Sequence, residues 1–251
     1  MNDHIVSSFD DDLDKVESLV LEMGGLVEQQ LVNATLALVN QDSKLAKQVV
    51  KGDARIDKLE GEVNVMTVQV LAIRQPFADD LRTVITTLKL ASHLESIGNY
   101  AKNMARRTRA ISKASAFSGS TGTLKRMSEL VQQMVRETLD AYTHRDVELA
   151  ELVRNRDEDV DQLLNSLFRE MLTYMMEDPR HISGCMHILF IAKNIERMGD
   201  HITDMAEEIL FLVNGKWPKD KRPKGDRTST LIIEPGEDDE DDDAHFEDDE
   251  S

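Results

Sequence analysis

Cysteine, proline and aromatic residues are all scarce in this chain, and each shortage removes a class of protein. A single cysteine, Cys185, in 251 residues excludes an intramolecular disulfide framework and a cysteine-rich zinc centre. It lies in the apolar stretch "GCMHILFIA", where a buried, inert thiol is expected. Aromatics make up 4% and prolines number five, while Leu, Met, Ala, Glu and Lys abound. Straight side chains of that kind keep their rotamer freedom in helices, so the expected fold class is all-α. No apolar run approaches the roughly 18 residues that a membrane span needs. The amino-terminal "MNDHIVSSFDDDLDK" has acids where a signal peptide carries basic residues. A cytoplasmic chain without membrane insertion is therefore expected.

The net charge of −18 is unevenly spread. Residues 237–251 hold eleven acids and no Lys or Arg, which leaves about −7 for the remaining 236 residues. "GEDDEDDDAHFEDDES" repels itself and has almost nothing to bury, and the Lys/Pro-rich "NGKWPKDKRPKG" at 214–225 is read as ending order after the last helix, so a disordered tail is expected over residues 216–251.

Apolar spacings of three and four divide the rest into six helices. Val16, Val20, Met23, Val27, Leu31, Ala34 and Leu38 mark the first, which Asn40 and Gln41 interrupt. Ile56, Leu59, Val63, Met66, Val70 and Ile73 mark the second, which stops at "RQP" because the residue before Pro76 is pushed out of the helical region. The third begins near Ala78 and frays in "SKASAFSGSTG". Leu124 to about Tyr142, Val147 to Met176, and a segment from beyond "EDPR" to about Val213 complete the set.

The second half repeats the first. "DARIDKL" at 53–59 matches "DEDVDQL" at 157–163, Pro76 matches Pro179, and "LESIGNYAKNM" matches "IERMGDHITDM". The expected architecture is two tandem three-helix bundles of long antiparallel helices, residues 1–115 and 123–215.

Measured from the two prolines, the acids come level on neighbouring helices. Asp57 and Asp53 lie 19 and 23 residues before Pro76, and Glu95 and Asn99 lie 19 and 23 after it. Asp161 and Asp157 lie 18 and 22 before Pro179, and Glu196 and Asp200 lie 17 and 21 after it. At about 1.5 Å of rise per residue each half gathers two i, i+4 pairs at one height, flanking the apolar seam rather than entering it. Like charges so placed repel by a few tenths of a kcal/mol per pair, and a cation would reverse the sign. The oxygen donors suit a hard divalent or trivalent ion such as iron, Mn²⁺, Mg²⁺ or Ca²⁺. A solvated acidic face is the alternative. With four acids in the second half and three in the first, metal is expected mainly in the second. His201 adjoins Asp200 but points about 100° away from it, and is read as a surface or partner-facing histidine.

The sequence contains no Glu-x-x-His, no Gly-x-x-x-x-Gly-Lys loop and no Gly-x-Ser-x-Gly, hence no visible nucleophile-and-base arrangement. The basic run Lys102, Arg106, Arg107, Arg109 and Lys113 is accounted for by the negative end of the third helix. Without interleaved aromatics it does not indicate nucleic acid.

"RQPFADDLR", the paired "LESIGNYAKNM" and "IERMGDHITDM", and "MMEDPRHI" resemble the PhoU family over residues 5 to 215. The resemblance implies two three-helix bundles and an accessory regulator of phosphate-specific transport. Such a regulator restrains the phosphate-starvation response by engaging the phosphate ABC transporter ATPase and the sensor histidine kinase. It also implies metal clusters on paired Glu/Asp-x₃-Asp motifs, carried here by Asp157/Asp161 and Glu196/Asp200 and by Asp53/Asp57. In Glu95/Asn99 an asparagine stands where the motif has aspartate, which removes one charge. A homodimer is expected, with no nucleic-acid partner and no catalysis. A metal-dependent hydrolase built on the same carboxylates is the alternative.

Overall fold

The computed structural model of the chain describes residues 2–111, 121–220, 225, 226 and 228, with side chains from residue 11 onward. Six long α-helices account for nearly all of it: α1 (Asn2–Val39), α2 (Ser43–Arg74), α3 (Asp79–Ile111), α4 (Thr121–His144), α5 (Val147–Glu177) and α6 (Ile182–Asn214). A single 3₁₀ turn, Pro179–His181, precedes α6. The expected all-α fold of two tandem three-helix bundles is the one observed. Residues 112–120 of the expected "SKASAFSGSTG" loop and residues 229–251 of the acidic tail lie outside the described residues, while the loop's last two residues, Thr121 and Gly122, already belong to α4.

The internal duplication is written in the turns. Between α1 and α2, Gln41 adopts φ 52 and Asp42 caps α2, its side chain accepting from Lys44 N at 2.8 Å and Leu45 N at 3.0 Å. Between α4 and α5, Arg145 adopts φ 55 and Asp146 caps α5, accepting from Leu149 N at 3.0 Å. The amides of Asp42 and Asp146 each reach back to an alanine carbonyl, of Ala37 and Ala141, at 2.9 Å. An Asp in this role meets backbone donors that the first helical turn leaves open. The second turn of each half differs. Gln75 (φ 49) and Ala78 (φ 50) flank "PF" in the first, whereas the 3₁₀ turn follows Asp178 in the second.

Within each half the three helices pack on one another, and α3 then lies along α6 while α1 lies along α4. Core residues of both halves, among them Met23, Leu31, Ile56 and Leu94 with Met134, Leu167, Ile195 and Ile202, form one continuous apolar cluster. Burying a leucine or isoleucine contributes about 1.5–3 kcal/mol, so the seam between the halves is as much core as either bundle is. Polar contacts cross it too. Lys89 Nζ meets Glu208 Oε1 at 2.7 Å, Thr87 Oγ1 meets the Tyr142 hydroxyl at 2.8 Å, Arg136 Nη2 meets Glu28 Oε1 at 2.6 Å, and Arg107 lies 4.2 Å over the Phe190 ring.

Order does not end with α6, contrary to the tail expected from residue 216. Gly215 closes the helix at φ 66, its amide bonding to the Phe211 carbonyl at 2.8 Å. Trp217 then folds back to stack on Phe211, with centroids 4.8 Å apart. Asp220 reaches Arg154 Nη1 at 2.7 Å. The expectation was drawn from the Lys/Pro-rich composition and overlooked the one tryptophan, whose apolar ring gains by covering the end of α6.

Candidate functional site

The eight level residues predicted from spacing form two groups, one between α2 and α3 and one between α5 and α6. In the first, Glu95 sits in the field of both Asp57 and Asp53, and the Asn99 amide donates to Glu95 Oε1. In the second, Asp161 and Glu196 each feel Asp200, and Asp157 lies against α6.

Their depth differs from the expected position beside the seam. Asp53, Asp157, Asp161 and Glu196 are only 4%, 2%, 4% and 5% exposed, so half of the set is inside the packing. Asp57 is exposed, and Glu95, Asn99 and Asp200 are half-buried. Glycine makes the room. A methyl group on Gly199 would fall 2.6 Å from Asp157 Oδ1, and one on Gly98 would touch Ile56 Cδ1 at 3.0 Å and stand 3.7 Å from Asp53 Oδ1. The carboxylates therefore lie against bare helix backbone. The signal was in the sequence as "IGN" and "MGD", the glycine immediately preceding Asn99 and Asp200.

Burial raises the carboxyl pKa of Glu95, with Asp57 and Asp53 adding to it. Burial likewise raises Asp161, opposed by the Gly225 amide and reinforced by Asp226 and Asp200. It raises Glu196 as well, against the pull of Lys193. Each group carries one built-in cation that spacing did not identify. Lys102 Nζ is paired with Asp53 Oδ2 in the first. In the second, Lys193 Nζ bridges Glu196 Oε1 at 2.7 Å and Asp226 Oδ2 at 2.6 Å. Asp226 belongs to the chain beyond α6, which crosses the second group. The Gly225 amide donates to Asp161 Oδ2 at 2.8 Å, and Asn165 Nδ2 donates to the Gly225 carbonyl at 2.6 Å. Burial alone would lift Asp226, but hydrogen bonds from Lys193 and Thr228 hold its carboxyl below the ordinary value.

One lysine against three or four carboxylates leaves acceptor capacity unused. Asp53 Oδ1 and Glu196 Oε2 are buried without a hydrogen-bond partner, a situation that ordinarily costs about 1–3 kcal/mol per group. These orphaned oxygens fit a hard cation. The groups are nevertheless open. Among the described residues only His93, His201 and Asp204 bring three candidate ligand atoms within 4.8 Å of one another. His201, read from sequence as facing outward, turns toward α3, with its Nδ1 3.0 Å from His93 Nδ1. Burial, then the charges of His201 and Lys89, lower the His93 pKa to about 4, so its imidazole is neutral. Cys185 is buried and free, as expected, and burial pushes its thiol up.

A separate open groove of about 760 Å³ lies between α1 and α2, lined by Leu19, Val65 and Met66 with Lys15 and Lys58, and contains none of the eight predicted residues. No helix of the described residues is long and apolar enough to cross a membrane.

Comparison with known proteins agrees with this duplicated geometry. The profile of the PhoU domain matches the chain twice, over residues 20–108 and 124–209. A phosphate-specific transport system accessory protein PhoU homolog from Rhizobium meliloti (strain 1021) is 43% identical over 91% of this chain and 96% of its own length. A homolog of the same name from Caulobacter vibrioides (strain NA1000 / CB15N) is 42% identical over 90% and 98%. Among solved structures, PhoU from Pseudomonas aeruginosa superposes with a TM-score of 0.81 at 39% identity, covering 83% of this chain and 100% of that one. The phosphate transport system regulatory protein PhoU from Streptococcus pneumoniae gives 0.78 at 26% identity, covering 84% and 99%. Twice-matched sequence, near-complete coverage of the relatives and close superposition on solved PhoU structures carry one conclusion: the chain belongs to the PhoU family.

Proposed function

We propose that this chain is a non-enzymatic, cytoplasmic accessory regulator of phosphate transport. It restrains the phosphate-starvation response in high phosphate by engaging the transporter's ATPase and a sensor histidine kinase, and it acts as a homodimer. The observation that carries this reading is the 43% identity, across nearly the full length of both chains, to a protein named as an accessory of the phosphate-specific transport system. The polar chemistry supports it. One oxygen each of Asp53, Glu196 and Asp161 is engaged from within the chain, by Lys102, Lys193 and the Gly225 amide, which suits carboxylates that position charge rather than carry out proton transfer. A reporter under a phosphate-responsive promoter should stay on in rich phosphate when the gene is deleted. Silence in rich phosphate with a normal starvation response would overturn the proposal. Phosphoester hydrolysis by the purified chain should stay at background with Mn²⁺ added, and metal-dependent turnover would favour the hydrolase instead.

Within this reading Asp157, Asp161, Glu196 and Asp200, and more weakly Asp53, Asp57, Glu95 and Asn99, hold a hard cation. The ion supplies charge neutralisation, which lets an acidic face approach an acidic partner. Elemental analysis should record a larger loss of metal in Glu196→Gln/Asp200→Asn than in Asp57→Asn/Glu95→Gln. Equal losses would remove the asymmetry, and absence of metal from the wild type would favour lysine compensation alone.

A further inference from the structure

We propose that His93, His201 and Asp204 form a second, chemically different metal site, for a borderline transition ion of the Zn²⁺, Co²⁺ or Ni²⁺ class, at the seam where α3 meets α6.

The placement comes from both halves. His93 is on α3, while His201 and Asp204 are spaced i, i+3 on one face of α6. The two Nδ1 atoms are 3.0 Å apart and the ring planes are inclined at 56°. Two lone pairs cannot face each other at that distance. In the metal-free chain one ring nitrogen must carry a proton and donate to the other. An ion replaces that single proton and takes both lone pairs at once. With metal–nitrogen distances of about 2.0–2.1 Å, two imidazoles in a tetrahedral site stand about 3.3 Å apart. The rings need to separate by only a few tenths of an ångström. The Asp204 carboxylate completes a group whose ligand atoms all lie within 4.8 Å, closer than either carboxylate set gathers three.

Donor chemistry separates this site from the acid groups. Two imidazoles and one carboxylate suit zinc, cobalt or nickel, whereas the all-oxygen groups suit harder ions. All three residues are half-buried, so an ion can enter and a water or a partner's side chain can take a remaining position. The nearby charge of Lys89 is met by Glu208 at 2.7 Å. Because α3 and α6 belong to different halves, a bound ion clips one bundle to the other.

The test uses the full-length, tag-free chain after chelator treatment, titrated with Co²⁺ and then Zn²⁺. One equivalent of Co²⁺ should bind with visible d–d absorption of a nitrogen-containing site and be displaced by Zn²⁺. His93→Gln and His201→Gln should each weaken binding at least tenfold, and Asp204→Asn should weaken it less. Glu196→Gln and Asp57→Asn/Glu95→Gln should leave this absorption unchanged, which separates the site from the oxygen-only groups and the acidic tail. Zn²⁺ should also raise the melting temperature of the wild type but not of His93→Gln. Unaltered Co²⁺ binding in His93→Gln, loss of the signal in the carboxylate variants, or no binding by the wild type would each overturn the proposal and leave an imidazole hydrogen bond only. Circular dichroism in chelator checks that each glutamine variant folds, and a His93→Asn variant replaces any that does not.

Discussion

Gly199 decides where Asp157 can lie, and it does so by lacking one carbon. Gly199→Ala would place a methyl 2.6 Å from Asp157 Oδ1 on a buried carboxylate. Relief requires a backbone or rotamer shift costing about 1–3 kcal/mol, more than the gain in helix propensity of about 1 kcal/mol. Gly61, also in a helix, has nothing within 4 Å of its would-be methyl. Thermal or urea denaturation should therefore find Gly199→Ala less stable and Gly61→Ala more stable than wild type, the latter by up to about 1 kcal/mol. Tyr142 gives a second test at this scale. Burial first, then Glu17, pushes its phenol up to about 12 against the opposing bonds from Thr87 and Arg145. A group raised in the folded state contributes fully below its free value of 10.0, and that contribution is lost as pH rises toward about 12. Ultraviolet titration should show one of the three tyrosines ionising late, and Tyr142→Phe should abolish that step at a cost of about 1 kcal/mol.

At the scale of elements, much of the molecule was legible. The apolar three-four series located all six helices, because each helix has a core face that the alternation must follow. The fourth, read as Leu124 to about Tyr142, runs Thr121–His144. The end residues it missed carry no apolar period, Thr121 and Gly122 at the start and Thr143 and His144 at the end. The two acid groups were legible as heights along paired helices but not as depths. Periodicity treats an acid as a solvent-facing residue and cannot register a facing glycine. Arg154 escaped for a related reason. It is 1% exposed, paired with Glu207 at 2.9 Å and Asp220 at 2.7 Å, and the second partner comes from chain that composition assigned to disorder. The seam contact of His93 with His201 joins residues 108 apart in sequence, and no local pattern encodes which bundle faces meet. Arg154→Ala should destabilise the chain through lost packing of the buried stem and lost charge-assisted hydrogen bonds, on the order of 1–2 kcal/mol, since the carboxylates it leaves, Glu207 and Asp220, still reach solvent. Denaturation alongside Asp220→Asn checks this. The aspartate side chain is 75% exposed, and its replacement should change stability little.

For the whole molecule, the continuous core predicts one cooperative unfolding transition by calorimetry, since the seam carries core residues of both bundles. Two resolved transitions would mean that the halves are separate cooperative units. Deleting residues 237–251 should leave that transition nearly unmoved, because eleven acids with one aromatic have almost nothing to bury. The same deletion in the reporter strain would reveal any regulatory role of the segment.

The repeated architecture has a further consequence. The α3–α6 and α1–α4 contacts each join two copies of one ancestral helix, so the seam is the intramolecular counterpart of an isologous dimer interface. The covalent connection through residues 112–120 then contributes mainly effective concentration of one half at the other. Fragments 2–111 and 121–228, expressed as separate chains, carry matching faces and should recognise each other by complementation.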